Sequence, residues 1–176
     1  ALISRTPPET IRFGFGDGDA REEPRLLAAT FGDLSIVNTY VPQGYAPESD
    51  KFQYKLLWLK RLKAYFEQFY SPTSQIVWLG DFNVAPEAVD VYDPDRLLGR
   101  VGFHPEEHKA LAAVKSWGFV DVFRKHETAD KMYTFWDYRI PNAVGRGLGW
   151  RLDHIWATSS MAKTSTNAWI DAAPRA

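Results

Sequence analysis

The sequence predicts a mixed α/β layered sandwich, and three local patterns support this prediction. Residues 26–31 and 34–41 are short β-rich runs separated by a Gly-Asp dipeptide, which favours a tight hairpin turn. In residues 48–70 the apolar side chains recur every three or four positions, the period of a helix with one buried face. Residues 75–79 are almost continuously apolar, which predicts a strand buried on both faces. The length of 176 residues indicates a single domain.

The remaining elements mix strands and helices without strict alternation. A second helix is predicted at residues 105–117, because Pro105 stands at its first position, acidic residues occupy its first turn and Gly118 ends it. The segment 14–23 is rich in Gly, Asp and Glu and predicts an exposed loop. Further strands are predicted at residues 119–123, 133–136 and 151–157. The irregular order argues against a doubly wound parallel sheet.

Composition limits the partners and the location of the protein. The 21 Lys and Arg residues nearly balance the 22 Asp and Glu residues, which excludes an electrostatic grip on nucleic acid spread over the whole surface. The absence of Cys excludes disulfides and thiolate metal sites, so a metal would be a hard cation such as Mg²⁺ or Mn²⁺. No apolar run approaches the ~20 residues that cross a bilayer, and no signal peptide is recognisable. We therefore expect a soluble, cytoplasmic protein.

A carboxylate and a carboxamide follow the predicted strand 75–79. Asp81 and Asn83 are two residues apart, so strand alternation would place both side chains on one side of the sheet's rim. Asp81 could orient a water molecule or bind a cation, and Asn83 could donate to a phosphate oxygen without adding negative charge. A purely structural role is the alternative, because Asx residues often cap turns.

A second carboxylate, Asp153, interrupts an otherwise apolar predicted strand. It needs a partner, which is either a nearby Arg in a salt bridge or a His whose tautomer the carboxylate fixes. The neighbouring His154 is a poor candidate, because adjacent strand residues face opposite sides of a sheet. The other histidines are predicted to be surface residues: His104, His108 and His126.

Aromatic and basic residues near these positions predict a substrate surface. Tyr40 stands before a Pro and Gly turn that contains Gln43, and its phenol either donates to a phosphate or only packs. The aromatic segment 133–138 and Trp150 flank a loop with Arg146, which predicts stacking and phosphate contacts, with a structural loop as the alternative. The lysines of the long helix are predicted to form a solvated face: Lys51, Lys55, Lys60 and Lys63.

Taken in order, five segments resemble the exonuclease III and abasic-site endonuclease family, within the wider endonuclease, exonuclease and phosphatase superfamily. The segments are YVPQG at 40–44, WLGDFNVA at 78–85, GFVDVFR at 118–124, YTFWDYR at 133–139 and GWRLDH at 149–154. No single motif is specific, but the ordered set spans nearly the whole chain.

This resemblance implies a four-layer α/β sandwich of the DNase I-like type. It implies Mg²⁺- or Mn²⁺-dependent hydrolysis of DNA phosphodiesters, 5′ to abasic sites and from 3′ ends, by a monomer that binds double-stranded DNA. Asp81 would activate or position the attacking water, Asn83 and Tyr40 would act at the scissile phosphate, and Asp153 would orient a catalytic His. The implied substrate-binding residues are Phe135, Trp150 and Leu152 around a flipped abasic sugar, together with Arg146 and Gln43.

The departures from the family pattern also carry expectations. Family members are longer at both ends, and their Leu-Gln-Glu and Ser-Asp-His motifs have no counterpart here. We therefore expect a chain that is incomplete at both termini, nearly inactive in isolation, with its main metal ligands elsewhere and with Asp81 and Asn83 as possible ligands. The compact Tyr-Val-Pro-Gln-Gly form at 40–44 predicts a bacterial source. The alternatives are a phosphatase or RNA-directed nuclease on the same scaffold, and a non-catalytic DNA-binding remnant.

Overall fold

The computed structural model describes residues 1–18 and 24–171, and its largest element is a six-stranded mixed sheet. The strands are β1 (Thr10–Phe13), β2 (Leu26–Phe31), β3 (Leu34–Tyr40), β4 (Gln75–Asp81), β5 (Phe119–Asp121), β6 (Phe135–Trp136), β7 (Gly149–Trp150) and β8 (Asp153–Thr158). The sheet has the order β1-β2-β3-β4-β8-β5, while β6 and β7 form a separate ribbon. Only β3 and β4 pair in parallel among these neighbours. Their carboxyl ends therefore lie side by side.

Two helices cover one face of this sheet: α1 (Asp50–Phe69) and α3 (Pro105–Lys115). Helix α1 begins after Ser49, whose hydroxyl accepts a hydrogen bond from the Phe52 N–H at 3.2 Å. Its buried side chains pack with Val37, Ile76 and Trp78 of the sheet in one core. Each large apolar side chain buried there contributes roughly 1.5–3 kcal/mol. The shorter helices are α2 (Pro94–Leu97), α4 (Val122–His126) and α5 (Ser159–Thr164), and a 3₁₀ turn spans Ala88–Asp90.

The opposite face of the sheet is less covered. Helix α5 packs against part of it through Met161 and Ala162, beside Val77 and Ala157. The prediction that strand 75–79 is buried on both faces is confirmed for one face only. Ile76 and Trp78 of β4 are buried, whereas Val77 and Leu79, on the other face, are half-buried. Within the described ranges, none of the helices combines the length and apolarity needed to cross a membrane.

The predicted hairpin, the long helix, the helix at 105–117 and the strand at 75–79 are confirmed. The strand predicted at 119–123 is wrong beyond Asp121. The carboxylate of Asp121 accepts a hydrogen bond from the Arg124 N–H at 3.1 Å, and this cap starts α4 where the strand was expected to continue. The strand predicted at 133–136 is confined to its last two residues, and the one predicted at 151–157 starts at Asp153.

The described part of the loop predicted at 14–23 forms no helix or strand, as expected, but its exposure is wrong at Phe15, which is buried and meets the Trp58 ring edge-on at 5.0 Å. Residues 19–23 of that loop lie outside the described ranges. Strand β1, which the sequence pattern did not predict, is exposed along its length, and only its ladder to β2 identifies it as a strand. An edge strand of this kind carries no buried alternation for a sequence pattern to reveal.

Candidate active site

A cleft of about 750 Å³ opens at the carboxyl ends of β3 and β4. Strand pairing brings a tyrosine and two aspartates together at this cleft. Tyr40 of β3 pairs with Asp81 of β4, and Asp81 pairs with Asp153 of β8. All the site residues predicted from the sequence except Arg146 line this cleft: Tyr40, Gln43, Asp81, Asn83, Phe135, Trp150, Leu152 and Asp153. Arg146 is exposed on a neighbouring turn, where its side chain meets the Pro141 carbonyl at 3.5 Å.

Asp81 and Asn83 are in direct contact at the end of β4. The backbone N–H of Asn83 donates to Asp81 Oδ1 at 2.8 Å, and Asn83 Nδ2 donates to Asp81 Oδ2 at 3.2 Å and to the Val41 carbonyl at 2.9 Å. Both amide hydrogens of Asn83 are thus engaged, and Oδ1 is the atom of this side chain left for a ligand. In this geometry the expected donation to a phosphate requires Asn83 to release one of these bonds.

The glycine that precedes Asp81 is required by the packing of the two parallel strands. Gly80 has φ 129°, and a Cβ built there would lie only 2.0 Å from the Thr39 carbonyl oxygen. No other residue fits such a contact without moving β3 away from β4. Gly80 therefore fixes the close approach that places Asp81 beside Tyr40.

Asp81 has the proton affinity of a base that works near neutrality. Burial raises the pKa of Asp81 to about 6, the N–H of Asn83 opposes this rise, and the charge of Asp153 adds to it. A carboxylate with this pKa is mostly ionised at pH 7 and still binds a proton more tightly than an ordinary aspartate. The site can therefore accept a proton from a water molecule in the cleft.

Asp153 is exposed to the cleft, and within residues 1–18 and 24–171 its carboxylate has neither a hydrogen-bond donor nor an ion-pair partner. The predicted salt bridge with a nearby Arg is therefore not formed there. Its backbone N–H donates to Thr134 Oγ1 at 3.0 Å, which fixes the position of the strand end. The alternative partner, a catalytic His oriented by Asp153, stays a prediction.

His154 faces away from the cleft, as strand alternation predicted. Its Nδ1 accepts a hydrogen bond from Arg151 Nη1 at 3.0 Å, and its Nε2 donates to the Val84 carbonyl at 3.0 Å. Burial lowers the pKa of His154 to about 4, with the Arg151 charge adding to this effect. His154 is thus a neutral structural histidine that holds β8 to the residue after Asn83.

One wall of the cleft is apolar. Phe135 and Trp150 pair across the β6–β7 ribbon, and Leu152 follows them toward Asp153. The indole of Trp150 packs closely on Gly102, where a Cβ would lie 3.3 Å from the ring. The wall thus offers an apolar surface directly beside the two carboxylates.

Behind this wall lies a buried ionic network that the sequence pattern did not reveal. Arg151 donates to both carboxylate oxygens of Asp90, at 2.7 and 3.0 Å, and to Asp121 Oδ2 at 2.8 Å. Arg124 also donates to Asp90. Burial alone would raise the pKa of Asp90, but its bonds to Arg151 and Arg124 outweigh burial and hold the pKa below its usual value. The network ties the 3₁₀ turn and β5 to the segment between β7 and β8.

A second buried pair corrects the prediction for the helix lysines. Lys55 was predicted to lie on a solvated face, but its side chain is 0% exposed and forms an ion pair with Glu107, also 0% exposed. Lys55 lies three positions after Phe52 and four before Leu59, which places it on the buried side of α1. Of the other lysines, Lys51 and Lys60 are exposed, and Lys63 pairs with Glu67.

The acidic residues of the cleft form only part of a metal site. Across the described ranges, no group of three or more His, Asp and Glu side chains could hold a metal ion. Asp81 and Asp153 are two neighbouring carboxylates, and the Asn83 amide contacts the first of them through Nδ2. Mg²⁺ commonly binds proteins through one or two carboxylates and fills its remaining positions with water and phosphate oxygens, so this oxygen set fits Mg²⁺.

The protein has the DNase I-like fold, because its mixed sheet superposes on that of a solved AP endonuclease. Two aspartates and an asparagine lie at the mouth of the cleft. The profile of the Endonuclease/Exonuclease/phosphatase family matches residues 1–175, and the chain belongs to that family. The resemblance to its exonuclease III and abasic endonuclease members is thereby confirmed.

The chain is similar to several solved and curated proteins of this group. An AP endonuclease from Archaeoglobus fulgidus superposes with a TM-score of 0.90 at 44% identity, over 96% of this chain and 65% of that one. The 3′ phosphatase NExo from Neisseria, solved with a product DNA hairpin, gives 0.89 at 30% identity, over 98% and 67%. The DNA repair nuclease APEX1 of Danio rerio is 30% identical over 92% of this chain and 51% of its own length. The chain thus spans between about half and two thirds of these relatives.

Proposed function

We propose that the natural protein containing this chain is a Mg²⁺-dependent DNA phosphodiesterase that cleaves 5′ to abasic sites and acts on 3′ ends. The observation that carries the proposal is Asp81, a carboxylate with raised pKa that lies beside Asn83 and Asp153 in a cleft with one apolar wall. The relatives support it, because they are named as an AP endonuclease, a DNA repair nuclease and a 3′ phosphatase bound to DNA.

In this proposal Asp81 accepts the proton of the attacking water. The N–H and Nδ2 of Asn83 already orient this carboxylate, so the side chain of Asp81 need not move to accept the proton. Tyr40 is half exposed at the mouth of the cleft, with the Arg25 guanidinium 4.9 Å from the centre of its ring, and its hydroxyl can donate to the phosphate. Asp153, exposed beside Asp81, is the carboxylate that would hold Mg²⁺, with water and phosphate oxygens in the other positions. When bound, Mg²⁺ supplies charge neutralisation at the phosphate.

The apolar wall explains a preference for abasic sites. A nucleotide must leave the duplex to enter the cleft, and this extrusion costs least where no base remains to unstack. Phe135, Trp150 and Leu152 would pack against the bare sugar, while the polar side of the cleft holds its phosphate. Because the Neisseria relative is a 3′ phosphatase, removal of 3′ phosphates is a second candidate activity of the same site.

Domain organisation, oligomeric state and location are proposed from the same relatives. We propose that residues 1–176 work within one domain, as the family match over residues 1–175 supports. A monomer that meets duplex DNA in the bacterial cytoplasm is the simplest arrangement consistent with a bacterial relative named exodeoxyribonuclease III.

The test is cleavage of labelled duplexes by the natural protein with Mg²⁺. We expect incision of a duplex with one tetrahydrofuran site, release of nucleotides or phosphate from 3′ ends, and loss of all activity with EDTA. An intact duplex without free ends, an RNA duplex and a soluble phosphomonoester serve as comparison substrates. Cleavage confined to RNA or to the phosphomonoester would replace this proposal with one of the alternatives, and binding without any cleavage would indicate a DNA-binding protein.

The role of the apolar wall can be tested separately with Phe135→Ala. Loss of this ring removes one stacking surface, so we expect KM for the abasic duplex to rise about tenfold while kcat for 3′-end release changes little. Phe13→Ala is the matched control, because Phe13 is an exposed phenylalanine of β1. An unchanged KM for Phe135→Ala would remove the wall from the account of abasic specificity.

A further inference from the structure

We propose that Lys55 is a positioning residue which, together with Glu107, holds three loops of the cleft in their working arrangement. The inference rests on the proposed function for its catalytic consequence, although the arrangement of the loops can be tested without any activity. The three cleft loops are residues 41–49, 82–87 and 98–104, which contribute Gln43, Asn83 and Gly102 to the cleft.

Lys55 connects two of these loops directly. Its Nζ donates to the Asn83 carbonyl at 2.8 Å and to the Gln43 carbonyl at 3.2 Å, and it forms its third bond with Glu107 Oε1. An ammonium group has three donors, and all three are used here. The Lys55 stem also fills the space beside Gly44, where a Cβ would lie 3.2 Å from it. One buried side chain therefore fixes the peptide that carries Asn83 relative to the loop that carries Gln43.

Glu107 extends the same contacts to the third loop. Its Oε1 receives the bond from Lys55, while its Oε2 accepts from the Gly102 N–H at 2.8 Å and the His104 N–H at 3.1 Å. The third loop is joined to the second by the Ala85 N–H, which donates to the Gly102 carbonyl at 2.8 Å. The pair thus lies at the point where all three cleft loops meet.

Stability does not explain why a charged pair occupies this place. Two apolar side chains of similar volume usually stabilise a core at least as well as a buried ion pair, because burial costs each charge its hydration. Burial lowers the pKa of Lys55 although Glu107 opposes that fall, so the lost hydration of the ammonium group outweighs its attraction to Glu107. What apolar side chains cannot supply is donors for the carbonyls of Gln43 and Asn83. The charges are therefore placed where they orient backbone atoms of the cleft.

The test separates positioning from stability with two variants of the natural protein. Lys55→Met leaves Glu107 buried without its cation, and we expect the melting temperature to fall by about 10 °C. Lys55→Met with Glu107→Gln removes both charges, so the melting temperature should recover part of this fall, while the Gln43 and Asn83 carbonyls still lack the Nζ donor. Lys60→Met, an exposed lysine of the same helix, is the matched control and should change neither stability nor activity.

If Lys55 positions the loops, the double variant regains stability relative to Lys55→Met without regaining its rate. We expect its kcat for the abasic duplex to stay about 10- to 100-fold below the parent, because reacting groups displaced by about an ångström lose rates of this order. Its KM should change less than its kcat, since Lys55 is fully buried, touches no substrate and affects binding only through the loop that carries Gln43. Recovery of kcat together with stability would mean that the pair has only a structural role.

An activity-independent measurement on the 176-residue chain decides the same question. Amide hydrogen exchange at Asn83 and Ala85 should be at least about tenfold faster in the double variant, whereas Leu62 in α1 should be unchanged. These two N–H groups bond to Asp81 and Gly102 rather than to the replaced side chains, so they report loop movement. Unchanged exchange would overturn the inference even if the parent protein cleaves DNA. A parent without cleavage would overturn the proposed function and leave the exchange result to judge Lys55.

Discussion

Replacing Asp81 by Asn in the natural protein is expected to lower kcat for cleavage of an abasic duplex by about 10²- to 10⁴-fold, the usual contribution of a general base. The amide has nearly the shape of the carboxylate but cannot take a proton from water. The parent should also lose activity as the solution becomes acidic, because its Asp81 then becomes protonated; bound Mg²⁺ shifts this loss below the pH of about 6 that applies to the metal-free site. A pH–rate profile of both proteins on the same duplex measures these effects, and a variant with more than a tenth of the parental kcat would exclude Asp81 as the base.

The same substitution should stabilise the fold in alkaline solution. Folding raises the pKa of Asp81, so the stability that its protonated form contributes is fully present below about pH 4 and is lost as the pH rises through about 6. Asn carries no charge to desolvate, so Asp81→Asn should melt at a higher temperature than the parent at pH 8, with the gap closing below pH 4. Asp33→Asn, in the exposed hairpin turn, is the control and should show no such gap. Equal melting temperatures of the parent and Asp81→Asn at pH 8 would contradict the conclusion that burial destabilises the charged form of Asp81.

The second large effect is expected from Arg151→Met, which should lower the free energy of unfolding by about 3 kcal/mol or more at pH 7. Asp90 and Asp121 are buried carboxylates that lose their bonds to this guanidinium, and His154 loses the donor to its Nδ1. For a chain of this size the loss corresponds to about 10 °C in melting temperature. Arg96→Met, an exposed arginine of α2, should change the free energy by less than about 0.5 kcal/mol.

The pH dependence identifies the cause of this loss. In the parent, the bonds to Asp90 contribute stability above the usual pKa of an aspartate and lose it as the pH falls through the lowered value. In Arg151→Met, a less compensated Asp90 can take up a proton as the solution becomes acidic. Urea unfolding should therefore show the largest difference between the two proteins at pH 7 and a smaller one near pH 4. A difference independent of pH would indicate lost packing rather than lost charge pairing.

The elements that the sequence predicted well are those in which local periodicity and tertiary burial agree. The apolar repeat of α1 lies on its buried face, and the Gly-Asp turn joins β2 to β3 as expected. The candidate site could be predicted from the sequence for a related reason. Tyr40, Asp81 and Asp153 are each at a strand end, and neighbouring strands bring such ends together.

What the sequence did not reveal depends on partners distant along the chain. The ion-pair partner of Lys55 is Glu107, 52 positions later, which no local pattern reveals. Arg151 and Asp90 are separated by 61 positions, and nothing local marks either as buried. The signal that could have found Lys55 is its spacing from Phe52 and Leu59, which places it on the apolar face of the helix.

The most direct test of the central claim, water attack on the phosphate beside Asp81, is cleavage of an abasic duplex in H₂¹⁸O, followed by mass spectrometry of the products. Hydrolysis 5′ to the abasic site forms a new P–O bond to water and releases the 3′ hydroxyl of the upstream strand. We therefore expect one ¹⁸O atom in the 5′ phosphate of the abasic fragment and an unmodified 3′ hydroxyl, with both products formed at least about 100-fold more slowly by the Asp81→Asn protein. A 3′ unsaturated sugar without ¹⁸O would show that the strand is broken by elimination and would contradict the account.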